Sequence, residues 1–245
     1  MKLSRTVNSE EIKRYNQLAH TWWDPTGPMW PLHRLNDART PFVEHTIRTK
    51  LRPGANIDRP LAGLKLLDIG CGAGLLSESM AKLGASVTAV DPAERNIDIA
   101  RSHARLSGLD IDYRCAAIED IDAEPFDVVL NMEVVEHVEA LPDFMAKCCS
   151  LTARGGLHFV ATINRNLLSW LVAIVGAEYI LGWLPKGTHQ WRKFVTPEET
   201  AAMLAGGDMS IVERCGVFVN PVTREVKIGS FTGVNYMVAA MRHSG

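Results

Sequence analysis

The chain has 245 residues, 47% of them hydrophobic and 22% charged, enough apolar material for a sizeable core in one large domain or two small ones. Lys plus Arg total 26 against 28 for Asp plus Glu, so no overall charge excess points to nucleic acid. Five cysteines without a C-x-x-C pair argue against a disulfide framework or a zinc site. The first twenty residues are polar and carry acids, which argues against a secretory signal or transit peptide.

Asn8 and Glu11 form a helix-start pair, and Ile12, Tyr15, Leu18, Ala19 and Trp22 follow at helical spacing. The turn-rich, aromatic run WWDPTGPMWP comes next. A second helix is predicted over 36–50, interrupted early by Pro41. After a loop, strands and helices alternate. LKLLDI (64–69), SVTAVD (86–91), IDYRCA (111–116), FDVVLN (126–131) and GGLHFVATI (155–163) read as strands. The segments between them contain a helix through Lys82, one over 93–108 and one over 141–151. Thr196-Pro197-Glu198-Glu199 is a helix start with a capping Thr, Pro at the first position and Glu at the third. SIVERCGVFV and VNYMVAAM end the chain as strand-like runs. The alternation predicts an α/β sandwich with a mostly parallel sheet. We read one domain over 1–245, with an N-terminal helical cap over 1–60 and an apolar insertion over 164–193.

The loop LLDIGCGAG joins a strand to a helix. Its glycines, Gly70, Gly72 and Gly74, let backbone N–H groups approach a ligand at a helix N-terminus. A dinucleotide loop would follow G-x-G-x-x-G, but position 75 is Leu. Asp91 ends the next strand, where a carboxylate can accept from both hydroxyls of a ribose. This pattern resembles the class I S-adenosylmethionine (SAM) methyltransferases.

Longer segments resemble the ubiquinone biosynthesis O-methyltransferases: WWDPTG and PLHRLNDAR, the glycine loop through AVD, NMEVVEHV, TINRNLLSWLVAIVGAEYILGWLPKGTH, and NPVTREVKIGSFTGVNYM. They run in family order over nearly the whole chain, and RNLLSWLVAIVGAEYIL with PKGTH is the most specific. One departure is Ala73, where family members often carry glycine. The resemblance implies a Rossmann-like, doubly wound, seven-stranded sheet with an antiparallel last strand. It implies cofactor contacts at Arg39, Gly70, Gly72, Asp91 and Met132. Arg39 would pair with the methionine carboxylate of SAM, Asp91 would hold the ribose, and Met132 would offer an adaptable apolar surface. Arg39 as a surface residue and Met132 as plain core are the competing readings. The implied activity is O-methylation of polyprenylated phenols at two steps, on a 2-polyprenyl-6-hydroxyphenol and on a 3-demethylubiquinol, with a place in a ubiquinone-biosynthesis complex.

The segment NMEVVEH admits three readings. A helix starting after Met132 would put Glu133, Glu136 and His137 on one face, with room for Mg²⁺ or Mn²⁺. Such an ion could bind both oxygens of a catechol and lower the phenol pKa from about 10. Alternatively His137 is a metal-free general base, or the carboxylates only orient backbone. The resemblance favours the metal. His33 and His189 have no comparable cluster.

The run LLSWLVAIVGAEYILGWL (167–184) is long enough to raise a membrane span, but Glu178 and its glycines argue against one. Trp170, Tyr179 and Trp183, flanked by Arg165, Lys186, Arg192 and Lys193, instead suit a segment lying on the bilayer surface over the active site. The expected location is cytoplasmic, peripheral on the inner face of the membrane. Two other functions fit the sequence: O-methylation of another small phenol, and a non-catalytic SAM-fold subunit of a membrane-associated complex.

Overall fold

The computed structural model describes residue 6, 9–54, 58–166, 169, 191–220 and 223–245. Most of the apolar run after position 166, with His189 and Lys186, and the Asn8 cap lie outside these residues.

Five parallel strands continue into three more, joined by antiparallel pairing, in one eight-stranded sheet. They are β1 (Lys65–Ile69), β2 (Ser86–Asp91), β3 (Asp112–Cys115), β4 (Phe126–Met132) and β5 (Thr152–Ile163). The others are β6 (Met209–Val219), β7 (Val226–Gly229) and β8 (Asn235–Arg242), and the order is β3-β2-β1-β4-β5-β8-β6-β7. β8 runs antiparallel between β5 and β6. Without β7 this is the expected doubly wound sheet. β7 is the extra strand: four residues, VKIG, that pair only at the edge with Gly216–Val219 across a short turn. So short a run carries little periodicity to read.

The order reverses beside β1, where β1 lies between β2 and β4. There the carboxyl ends of parallel strands open a crevice for ligands. Both faces of the sheet are covered, which explains the unbroken apolar runs of β1 and β4. One face packs α2 (Trp30–Leu51), α3 (Leu75–Lys82) and α4 (Glu94–Leu106) through Val43, Ile47, Met80 and Ile97. The other packs α5 (Leu141–Leu151) and α6 (Pro197–Gly206) through Phe144, Met145 and Leu204. The predicted capping box of α6 forms, with the Thr196 hydroxyl accepting from the Glu199 N–H at 3.2 Å and the Glu199 carboxylate accepting from the Thr196 N–H at 2.9 Å.

Pro41 does not interrupt α2, which is continuous over Trp30–Leu51. Proline removes one backbone bond, the one to the carbonyl four residues earlier. Both Pro41 and Asp37 are exposed, so water can satisfy that carbonyl while Asn36, Arg39, Val43 and Ile47 keep the opposite face buried. Before α2, α1 (Ser9–Leu18) and a single turn at Ala19–Thr21 lead to a small cluster on the glycine loop, formed by Ala19, Trp22, Met29, Ala73 and Leu75.

Candidate active site

The crevice is built from the ends of β1, β2 and β4. After β1 the chain turns through Gly70, Gly72 and Gly74, all at positive φ (65°, 55° and 87°), a backbone that side chains rarely tolerate. A Cβ on Gly70 would lie 2.5 Å from Val134 Cγ2. Gly74 is the residue before α3, so the loop delivers its N–H groups at the start of that helix.

Asp91, at the end of β2, is buried and accepts from Gly72 N–H at 2.9 Å, Ala93 N–H at 2.8 Å and Asn96 Nδ2 at 3.3 Å. It therefore fixes the glycine loop and faces the crevice. Burial pushes its pKa up to about 6, against the pull of these donors. Asp68, one strand over, is raised to about 6 for the same reason and accepts from Ser77 Oγ at 2.6 Å.

Arg39 is no surface residue: it is 7% exposed on the inner face of α2. Asn36, one turn earlier, ties that helix to α3 by donating to the Leu75 carbonyl at 3.2 Å and to Ser79 Oγ at 3.0 Å. Arg39 Nη1 stands 3.7 Å from Glu133 Oε1, yet its Nε and Nη1 have no hydrogen-bond acceptor among the described residues. A buried guanidinium with unused donors is suited to a carboxylate ligand. Met132 is packed in the core cluster together with Val43 and Leu130, so its side chain has a structural role.

The segment after β4 differs from the expected helical face. Glu133 has φ 60°, which breaks any helix at its first residue, and only Val135–His137 form a single tight turn. Glu133 leans toward Arg39, and Glu136 is buried with its Oε2 accepting from Thr162 Oγ1 on β5 at 2.7 Å. The two carboxyl groups remain neighbours: burial first, and then the charge of Glu136, raise the pKa of Glu133. His137 Nε2 meets the Tyr15 hydroxyl of α1 at 3.5 Å, with the two rings edge to face. Among the described residues no group of three His, Cys, Asp or Glu side chains could hold a metal ion. As they stand, Glu133, Glu136 and His137 do not fit one. His33 is a satisfied histidine, its Nε2 2.8 Å from the Trp22 carbonyl.

Sequence reasoning missed Tyr15, which looked like one more apolar-face residue, and Thr162, which sits at the end of a buried strand. It also assigned no chemistry to Trp22 and Trp23. The signal available was their place in an aromatic run that a soluble loop does not need.

Residues 67–160 match the family described as a methyltransferase domain. A ubiquinone biosynthesis O-methyltransferase of Rhodopseudomonas palustris (strain BisB18) is 46% identical over 243 residues, covering 99% of this chain and 96% of its own. One of Brucella anthropi is 48% identical over 239 residues, covering 97% of this chain and 96% of its own. Among solved structures, magnesium protoporphyrin IX methyltransferase of Synechocystis PCC 6803 with bound SAH aligns with a TM-score of 0.67 at 17% identity, covering 96% of this chain and 95% of that one. That likeness shows the fold alone, the doubly wound sheet of the class I SAM methyltransferases.

Proposed function

The chain belongs to the ubiquinone biosynthesis O-methyltransferase family, and from that premise we propose the substrate and the residues that act on it. The activity is SAM-dependent O-methylation in ubiquinone biosynthesis. The proposed acceptors are polyprenylated phenols, at both O-methylation steps. The observation that carries the cofactor assignment is a pair of side chains around the carboxyl ends of the central strands, Asp91 beside the glycine loop and Arg39 with buried donors that no described residue accepts.

In this reading Asp91 accepts from a ribose hydroxyl and Arg39 donates to the methionine carboxylate. When bound, SAM supplies an activated methyl group, and its C–S bond breaks as the new O–C bond forms. His137 removes the phenol proton as that oxygen attacks, so the imidazole ends protonated. Tyr15 holds the ring edge-on. Holding the two reactants in line is the larger contribution. The assay that tests the function is transfer from labelled SAM to prenylated catechols of increasing tail length. We expect turnover to rise at least tenfold from an unprenylated catechol to a two-isoprene one. Equal turnover on both would place the chain on another small phenol.

We also propose that 164–193 docks on the bilayer. Its composition supports this, as does its setting. Trp191 donates to the Asn166 carbonyl at 3.2 Å, and Asn164 donates to the Thr232 carbonyl at 3.0 Å beside the exposed Phe231. Among the described residues no helix is long and apolar enough to cross a membrane. Placing two aspartates in 170–184 should abolish cosedimentation with anionic liposomes and spare SAH binding; unchanged cosedimentation would sink the idea.

A further inference from the structure

Two adjacent indoles sit on the glycine loop and are held very differently. Trp23 is fixed at both ends. Its Nε1 donates to the Ala73 carbonyl at 3.1 Å, and its ring stacks on His103 with centroids 3.4 Å apart and planes 4° from parallel. His103 is itself tied by Nδ1 to the buried Glu78 at 2.6 Å. Trp22 is only 7% exposed, yet its Nε1 has no acceptor among the described residues.

The six-membered ring of Trp22 lies on Gly72, where an added Cβ would collide with it. That is the face a glycine leaves open for close approach of a ligand. An indole kept only to fill space would do as well as phenylalanine, and burying its N–H without an acceptor is destabilising. The donor is explained if its acceptor arrives with the ligand.

We propose that Trp22 is a cofactor-contact residue whose ring acts as a latch, its backbone held by the His33 contact to its carbonyl and by the neighbouring fixed Trp23. This rests on the reading of the glycine loop as the SAM seat. The ring lifts from Gly72 to admit the cofactor and closes against it, its Nε1 donating to a cofactor oxygen.

The test is the rate at which labelled SAH leaves the protein during a chase with unlabelled SAH, beside its equilibrium affinity and the melting temperature. Dissociation should be at least tenfold faster in Trp22→Ala, and about threefold faster in Trp22→Phe, which keeps the ring and loses the donor. Association should not slow in either. Unchanged dissociation in both variants would overturn the latch, as would an affinity loss arising wholly from slower association. Because Trp22→Phe keeps an aromatic ring and most of the side-chain volume, it answers even where the alanine variant folds poorly. Equilibrium binding by the unmodified chain tests the seat itself, and failure to bind SAH would overturn seat and latch together.

Discussion

Replacing Asp91 with alanine is expected to weaken SAH binding about 100-fold, read by titration calorimetry. An ionised carboxylate has roughly four acceptor positions. Gly72, Ala93 and Asn96 already use three of them, which leaves capacity for the ribose. Alanine removes both the ribose acceptor and the bond that holds Gly72. The Gly72 bond is present with and without ligand, so the affinity loss is that of the ribose bond to a charged acceptor, about 3 kcal/mol at the upper end, close to two powers of ten. Burial has raised the Asp91 pKa to about 6, whereas ribose hydroxyls bind the ionised form. Binding therefore releases a proton below that pH, and affinity falls as pH drops through about 6, approaching tenfold per unit. Asp68 titrates near the same value, so Asp91→Asn separates the two. The asparagine variant should lose most of the acid-side slope if the slope belongs to Asp91. A wild-type slope in that variant would move the linkage to Asp68, and unchanged affinity in the alanine variant would remove Asp91 from the cofactor seat.

The frame of this molecule was legible because its central strands, β1, β4 and β5, are buried along most of their length on both faces. Runs such as FDVVL and HFVATI have few other uses, and the glycines and caps that punctuate them act locally. Pro41 was misread because its effect depends on which way residue 37 faces, a tertiary fact. The β7 strand escaped because four edge residues with alternating partial exposure hold no pattern of their own.

The site divided along the same line. Asp91 and the glycines could be placed because their geometry is set within a few residues. Glu133, Glu136 and His137 could be grouped but not oriented, because one positive φ at Glu133 decides the matter and its sequence neighbours do not announce it. The groups that then orient them come from far away: Arg39 on α2, Thr162 on β5 and Tyr15 on α1.

Replacing His137 with alanine should lower kcat for methyl transfer by about 100- to 1,000-fold, the usual range for loss of a positioned base, with SAH affinity unchanged. A base of this kind leaves a signature: the acid limb of the pH–rate profile disappears in the variant. Activity should partly recover toward pH 10, where the phenol ionises unaided. Chelation separates the two readings of the segment. If His137 acts alone, a chelator leaves the wild-type rate untouched, and Glu136→Gln keeps most activity because an amide oxygen can still accept from Thr162. If the three side chains hold a divalent ion, the chelator should abolish turnover and Mg²⁺ or Mn²⁺ should restore it. Glu133→Gln and Glu136→Gln should then fall with His137→Ala, since removing any one ligand from a three-ligand site costs most of its affinity. The carboxyl pair decides between these outcomes. Burial and the charge of Glu136 raise the Glu133 pKa to about 7, so below that pH it holds its proton without a cation. Bound metal would require both carboxyl groups ionised and would release that proton. Proton release on Mg²⁺ addition, measured in a weakly buffered sample, is therefore the sharper form of the same experiment, and its absence would leave His137 as a metal-free base.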